Sequence, residues 1–177
     1  QEYPATPEEA FIATGACIFD TQRIISRIND LSNYRPIKEG LFLYNYDGVS
    51  ISNIRWEDKE KGYIKIFEEP QDRCPYVLGG DTAGEGSDYF TAHVIDNTTG
   101  IQCAVFRDDR IDEDEYARQI YCLGMYYNTA LVGLEANFST YPIKELARLG
   151  YPKQYVREAP DTFTGAIKKS YGFRTTS

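Results

Sequence analysis

The chain has 177 residues, of which 42% are hydrophobic and 26% charged, enough to bury one ordinary core with a short appendage and too few for a second enzyme. Its net charge of −8 opposes any broad, sequence-independent grip on nucleic acid, so any such contact would have to be local, metal-assisted or delivered by another domain. No stretch approaches the roughly 18 apolar residues of a membrane span, and Gln1-Glu2-Tyr3-Pro4 lacks a basic, apolar leader, so a soluble, intracellular protein without membrane partners is expected.

Cys17, Cys74, Cys103 and Cys122 are widely spaced with no C-x-x-C pair, which argues for buried, reduced thiols over a zinc site or a disulfide framework.

In chain order, residues 1–37 read as a helical linker. An apolar run through Phe11, Ile12 and Ala13 ends at Gly15 like a short helix, and Ile24, Ile25 and Ile28 predict a second one before the loop at Asn33 to Pro36. Residues 38–72 change to β texture. LFLYNY, a turn at Asp47-Gly48, VSISNIRW, a polar turn from Glu57 to Gly62, and YIKIFEEP predict a small three-strand antiparallel meander closed by Pro70.

Residues 73–177 form the expected core. YVLGG leads to Asp81; the glycine turn TAGEGS follows, with Gly84 and Gly86 permitting a tight hairpin and close approach of a phosphate. FTAHVID and IQCAVFR complete three antiparallel strands. Asp112 and Glu115 predict a D-x-x-E capping box for a helix whose Tyr116, Ile120, Leu123 and Tyr127 recur at helical spacing. ALVGLEA reads as a buried strand ending at Glu135. Ser139 to Leu149 reads as a helix with Pro142 in its first turn and Gly150 as its stop, and QYVR as a fifth strand.

The order β-β-β-α-β-α-β has a chemical consequence. A crossover helix returning the chain to the sheet lays the fourth strand parallel to the first, which puts Asp81 and Glu135 on adjacent strands about 4.8 Å apart at one edge. Two carboxylates so close repel unless a cation is shared. A pair of Mg²⁺ or Mn²⁺ ions about 3.5 to 4 Å apart suits such oxygen ligands and the hydrolysis of phosphodiesters. Asp88, returned to the same edge by the hairpin, is the third candidate metal ligand. Asp108 and Asp109, two strand spacings away, read as solvated charges. The same holds for Lys168 and Lys169, while His93 reads as a satisfied core or surface histidine.

A bland reading stands beside each acid. An Asp after an apolar strand is usually a turn former, whereas a Glu closing the apolar LVGLEA is less expected, because burying an unpaired carboxylate is costly.

These segments also resemble a known family. YVLGGDTAGEGSDYFTAHVIDNTTG is similar to the first hairpin of the nuclease domain of phage terminase large subunits, where an Asp, a glycine turn and a second Asp occur in that order. ALVGLEANFSTYPIKELARLGYP resembles the family's second acidic strand and following helix, KSYGFRTTS its glycine-aromatic-threonine segment, and YPATPEEAFIATGACIFD the segment joining the ATPase motor to the nuclease.

The resemblance implies an α/β, RNase H-like mixed sheet. It implies a two-metal Mg²⁺ or Mn²⁺ endonuclease with Asp81 and Glu135 as the first two metal-binding acids, and Asp88 beside them. It further implies double-stranded, concatemeric viral DNA as substrate, the terminase small subunit and the portal protein as partners, and the cytoplasm of the bacterial host as location. The family's third acid falls in a later Asp-containing stretch; Asp161, in EAPDTF, does not match it, so that acid is expected beyond Ser177. No G-x-x-x-x-G-K-[ST] phosphate loop occurs. Two other classes remain open: a nucleotide-binding domain of the actin and sugar-kinase type, which Asp81-Thr82-Ala83-Gly84 fits poorly, and a domain that docks DNA or portal without cutting.

Overall fold

The computed structural model describes residues 20–82, 88–160 and 166–175. The expected helix around Phe11 to Ala13, Cys17, the glycine turn with Gly84 and Gly86, and Asp161 lie outside the described residues. The chain divides into two compact units, residues 1–35 and 36–177. In the first, α1 (Thr21–Leu31) starts where the Asp20 carboxylate accepts hydrogen bonds from the backbone N–H groups of Gln22 and Arg23, a side-chain N-cap. It buries none of its residues, and Ile28 stays more than half exposed.

Among its described residues, the second unit contains a seven-stranded sheet. The strands are β1 (Lys38–Tyr46), β2 (Ile51–Asp58), β3 (Ile64–Ile66), β4 (Tyr76–Asp81), β5 (Phe90–Asp96), β6 (Gln102–Asp108) and β7 (Leu131–Leu134), in the spatial order β2-β1-β3-β6-β5-β4-β7. β4, β5 and β6 pair antiparallel in sequence, and β7 joins β4 in parallel, with Gly80 opposite Leu134. This is the RNase H-like mixed sheet: three antiparallel strands, then a parallel fourth beside the first.

The first three strands do not form the predicted meander. β3 pairs with β1, not β2, and its other edge pairs with β6, so the segment extends the core sheet. Ile64 and Ile66 are fully buried and set which face of β3 points inward, but a two-residue alternation says nothing about which strand lies alongside. β3 is also too short to cover β1. Beyond it, the buried side chain of Gln119 continues the ladder, accepting from the Phe42 N–H (3.0 Å) and donating to the Phe42 carbonyl (2.8 Å).

Two helices, α2 (Glu113–Tyr126) and α3 (Tyr141–Arg148), pack on one face of the sheet. Tyr116, Ile120, Leu123 and Tyr127 are all fully buried, as their spacing predicts, and Tyr116 meets the rings of Phe90 and Phe106 at 5.0 and 5.1 Å between centroids. The capping box is absent: Asp112 is the N-cap residue but makes no side-chain cap bond, and Glu115 instead accepts from the hydroxyl of Tyr44 and the amide of Gln119. The half-buried Glu115 meets a donor from β1 and another one turn along its own helix, and these outcompeted the capping N–H. α3 carries Pro142 in its first turn and stops at Gly150, whose φ of 73° suits only a glycine well.

The expected fifth strand is split. The N–H of Val132 donates to the carbonyl of Lys153 and Val132 forms a parallel bridge with Gln154, but the chain leaves at Val156 into a separate hairpin, β8 (Val156–Pro160) and β9 (Ile167–Tyr171). It returns at Gly172, whose N–H donates to the Tyr155 carbonyl, and Phe173 bridges Glu135 in parallel. Gly172 has φ 79°, and an added Cβ would lie 2.6 Å from the Leu134 carbonyl oxygen, so the return depends on glycine. Cys103 and Cys122 are buried free thiols, while Cys74 is only partly buried.

Candidate active site

Alternation decides which side chains share the uncovered face. On β4, Tyr76, Leu78 and Gly80 point to the core, leaving Val77, Gly79 and Asp81 on the opposite face; on β7, Val132 and Leu134 are buried and Leu131 and Gly133 are not. The parallel register Gly80↔Leu134 continues one residue further, since the Glu135 N–H donates to the Gly80 carbonyl at 2.9 Å. Asp81 and Glu135 therefore emerge side by side at the carboxyl ends of adjacent strands, on the same face. Their carboxyl groups come within reach of each other, close enough for each to shift the other's proton affinity.

Two carboxylates so close repel while both are ionised, which favours a proton on one of them. Glu135, which is buried, accepts from the Asn137 amide at 2.8 Å and from the Thr175 hydroxyl, and Asn137 also donates to the Thr175 carbonyl at 2.9 Å. Asp81 first, and then Thr175, hold Glu135 below its usual range against the burial that would raise it. Asp81 is the member pushed toward its protonated form: burial of its carboxyl, then the neighbouring Glu135, raise it to about 6 against the opposing backbone N–H of Thr82, so it holds the proton below that pH. Asp88 adds a weaker repulsion to Asp81.

The backbone beneath is rigid. The fully buried Tyr116 hydroxyl donates to the Thr91 carbonyl at 2.9 Å, opposite Asp81, and the outer edge of Glu135 is pinned by the Ala136 N–H donating to Phe173 (2.8 Å) and the Phe173 N–H donating to Leu134 (3.0 Å).

The structure thus brings together Asp81 and Glu135. Asp88 is exposed and near enough to be felt only as charge, and among the described residues no group of three or more His, Cys, Asp or Glu side chains is arranged to hold a metal. Asp108 sits at the end of β6 with its carboxylate taken by the Arg110 N–H, and the exposed His93 ring meets the Gln102 side chain at 2.9 Å. Asn137 and Thr175 were not singled out by sequence. Thr175 lies in the glycine-aromatic-threonine segment, and that resemblance was the one signal that could have found it.

The donor set fits a hard divalent cation. Mg²⁺ and Mn²⁺ take carboxylate oxygens, and Mg²⁺ is commonly held by one or two carboxylates with waters and substrate phosphate completing its shell. A carboxyl pair that favours a proton on one member is a pair from which a cation can displace that proton.

No protein-family model matches the sequence, nor does any curated protein. Solved structures do. The large terminase nuclease from thermophilic phage G20c matches at 22% identity and a TM-score of 0.47, over 52% of this chain and 49% of that one. The same nuclease with bound magnesium matches at 20% identity and a TM-score of 0.48. The large terminase nuclease domain of Thermus phage P74-26 matches at 21% and 0.44. These structural neighbours are terminase nucleases. The match spans about half of each of those chains, at a similarity that concerns fold.

Proposed function

We propose that this chain is the nuclease part of a phage-type terminase large subunit, a metal-dependent endonuclease that hydrolyses phosphodiester bonds of concatemeric viral DNA during packaging in the host cytoplasm. One observation carries the reading: the parallel register of β4 and β7 sets Asp81 and Glu135 side by side at the carboxyl ends of adjacent strands, on the uncovered face of the sheet. The sequence resemblance supplies the DNA substrate and, as partners, the terminase small subunit and portal protein.

In this reading Asp81 and Glu135 would hold Mg²⁺ or Mn²⁺, Asn137 and Thr175 orient Glu135, and Asp88 serves the outer part of the site. A divalent ion held by Asp81 and Glu135 would supply polarisation of the scissile phosphate and activation of an attacking water. Loss of the proton from Asp81 precedes or accompanies binding, because a metal-ligating carboxyl must be ionised.

The test is cleavage of duplex DNA in Mg²⁺ or Mn²⁺. Asp81→Ala and Glu135→Ala should each abolish cutting and divalent-ion binding; unchanged rates in both would refute the proposal. Calorimetric binding of ATP, with no cleavage, would instead favour a nucleotide-binding domain.

A further inference from the structure

Cross-strand register extends the site sideways. Asp81 on β4 lies opposite Thr91 on β5, and Thr91 lies opposite Arg107 on β6. Directly paired residues share a sheet face, so Arg107 projects from the same face as Asp81, two strand spacings or about 10 Å away. Its guanidinium stacks on the Tyr89 ring at 3.8 Å. The two line a cleft of about 730 Å³ with Lys61, Lys65 and the carboxylates Glu39, Asp108 and Asp109.

Charge commitments differ across that cleft. Glu39 lies 4.0 Å from Lys65, Asp109 lies 3.7 Å from Arg110, and the Asp108 carboxylate accepts the Arg110 N–H at 2.7 Å. Arg107 has no carboxylate or hydrogen-bond partner for its side chain among the described residues; the aromatic ring alone orients it. In a chain of net charge −8, a guanidinium held flat by an aromatic and uncommitted to any of the carboxylates around it is arranged for an anion from outside.

Resting on the phosphodiesterase reading above, we propose that Arg107, braced by Tyr89, grips a backbone phosphate of the DNA strand being cut, about one or two nucleotides from the phosphate at Asp81 and Glu135. The spacing follows from the about 10 Å across two strands and from neighbouring phosphates of a strand lying further apart than the axial rise, because the backbone winds around the axis. Arg107 is a substrate-binding residue in this assignment, not a metal ligand.

The experiment measures duplex binding by the full chain against NaCl concentration, with Ca²⁺ replacing Mg²⁺, and cleavage kinetics in Mg²⁺. Losing one phosphate contact should reduce the slope of log affinity against log salt by about 0.9 in Arg107→Ala, with KM raised about tenfold and kcat nearly kept. Arg107→Lys should restore the slope, and Tyr89→Leu should raise KM while leaving the slope as it is. A neutral methylphosphonate at the first or second phosphate from the cut should weaken wild-type binding but not that of Arg107→Ala. A wild-type slope in Arg107→Ala, or a loss that Arg107→Lys fails to restore, overturns the assignment. If the unmodified chain neither binds nor cuts DNA, the phosphodiesterase reading falls first and takes this one with it. Normal binding with an unchanged slope in Arg107→Ala sinks this one alone.

Discussion

Replacing Asp81 with asparagine should make the metal-free protein more stable above pH 6. Asp81 is raised from an ordinary 3.8 to about 6 in the folded chain, so between those values the folded state keeps a proton that the unfolded state has lost. Stability from this group is complete below the unfolded value and is lost as pH rises through about 6. Glu135 is shifted the opposite way, so its contribution changes only below its ordinary 4.5 and leaves the higher window to Asp81. At about 1.4 kcal/mol per pH unit the Asp81 displacement would amount to about 3 kcal/mol. Asp81 is an exposed residue, and solvent screening reduces the figure to about 1 kcal/mol, or about 2–4 °C in melting temperature for a chain of this size. Asp81→Asn keeps a side chain that can hydrogen-bond Glu135 and cannot ionise. Urea denaturation in EDTA at pH 7.5 and pH 5 measures the effect: the variant should gain about 1 kcal/mol at pH 7.5 relative to pH 5. Added Mn²⁺ should stabilise wild type and leave the variant unmoved. An equal wild-type-to-variant difference at both pH values would refute the raised proton affinity of Asp81.

Thr175→Val removes the hydroxyl donated to Glu135 and should weaken Mn²⁺ binding about tenfold by calorimetry, with the loss largest near pH 6. Gln119→Leu leaves both backbone groups of Phe42 without partners in a buried setting and should cost about 2–4 kcal/mol in urea, with faster amide exchange at Phe42. Gly80→Ala places a Cβ 2.5 Å from the Tyr116 hydroxyl and 2.6 Å from Leu134, so it should destabilise by about 1–3 kcal/mol and also slow DNA cleavage, because Tyr116 anchors the strand pair beneath Asp81.

The parts of the fold that local pattern controls were legible in the sequence. The apolar runs YVLGG and ALVGLEA marked the strands, the crossover order marked the edge at which Asp81 and Glu135 meet, and helical spacing found the buried face of α2. Long-range choices were not legible. β3 sits between β1 and β6 because two buried isoleucines and a free edge met there, and Glu115 abandoned the capping box because Tyr44 and Gln119 are brought to it from 71 residues away and one turn along. The split fifth strand turns on Gly172, where a positive φ and the close Leu134 carbonyl matter more than any propensity of QYVR. Asn137 and Thr175 escaped notice because an amide and a hydroxyl have no pattern of their own; they matter only through the carboxylate they reach.

The placement of Glu135 explains why the edge beyond β7 is built as it is. A buried carboxylate beside another acid works against folding, so the segment that carries it needs support from both sides. Gly80 supplies a carbonyl on one side, and Phe173 holds Leu134 and Ala136 on the other. The chain reaches Phe173 only after a separate hairpin, and two residues later Thr175 arrives at Glu135. The same return that completes the sheet edge therefore delivers the hydroxyl that keeps Glu135 ionised and leaves the proton on Asp81. Removing the Gly172 turn should then do more than fray an edge: it should raise the affinity of Glu135 for protons and weaken its hold on a cation, coupling the geometry of β7 to the chemistry at its end.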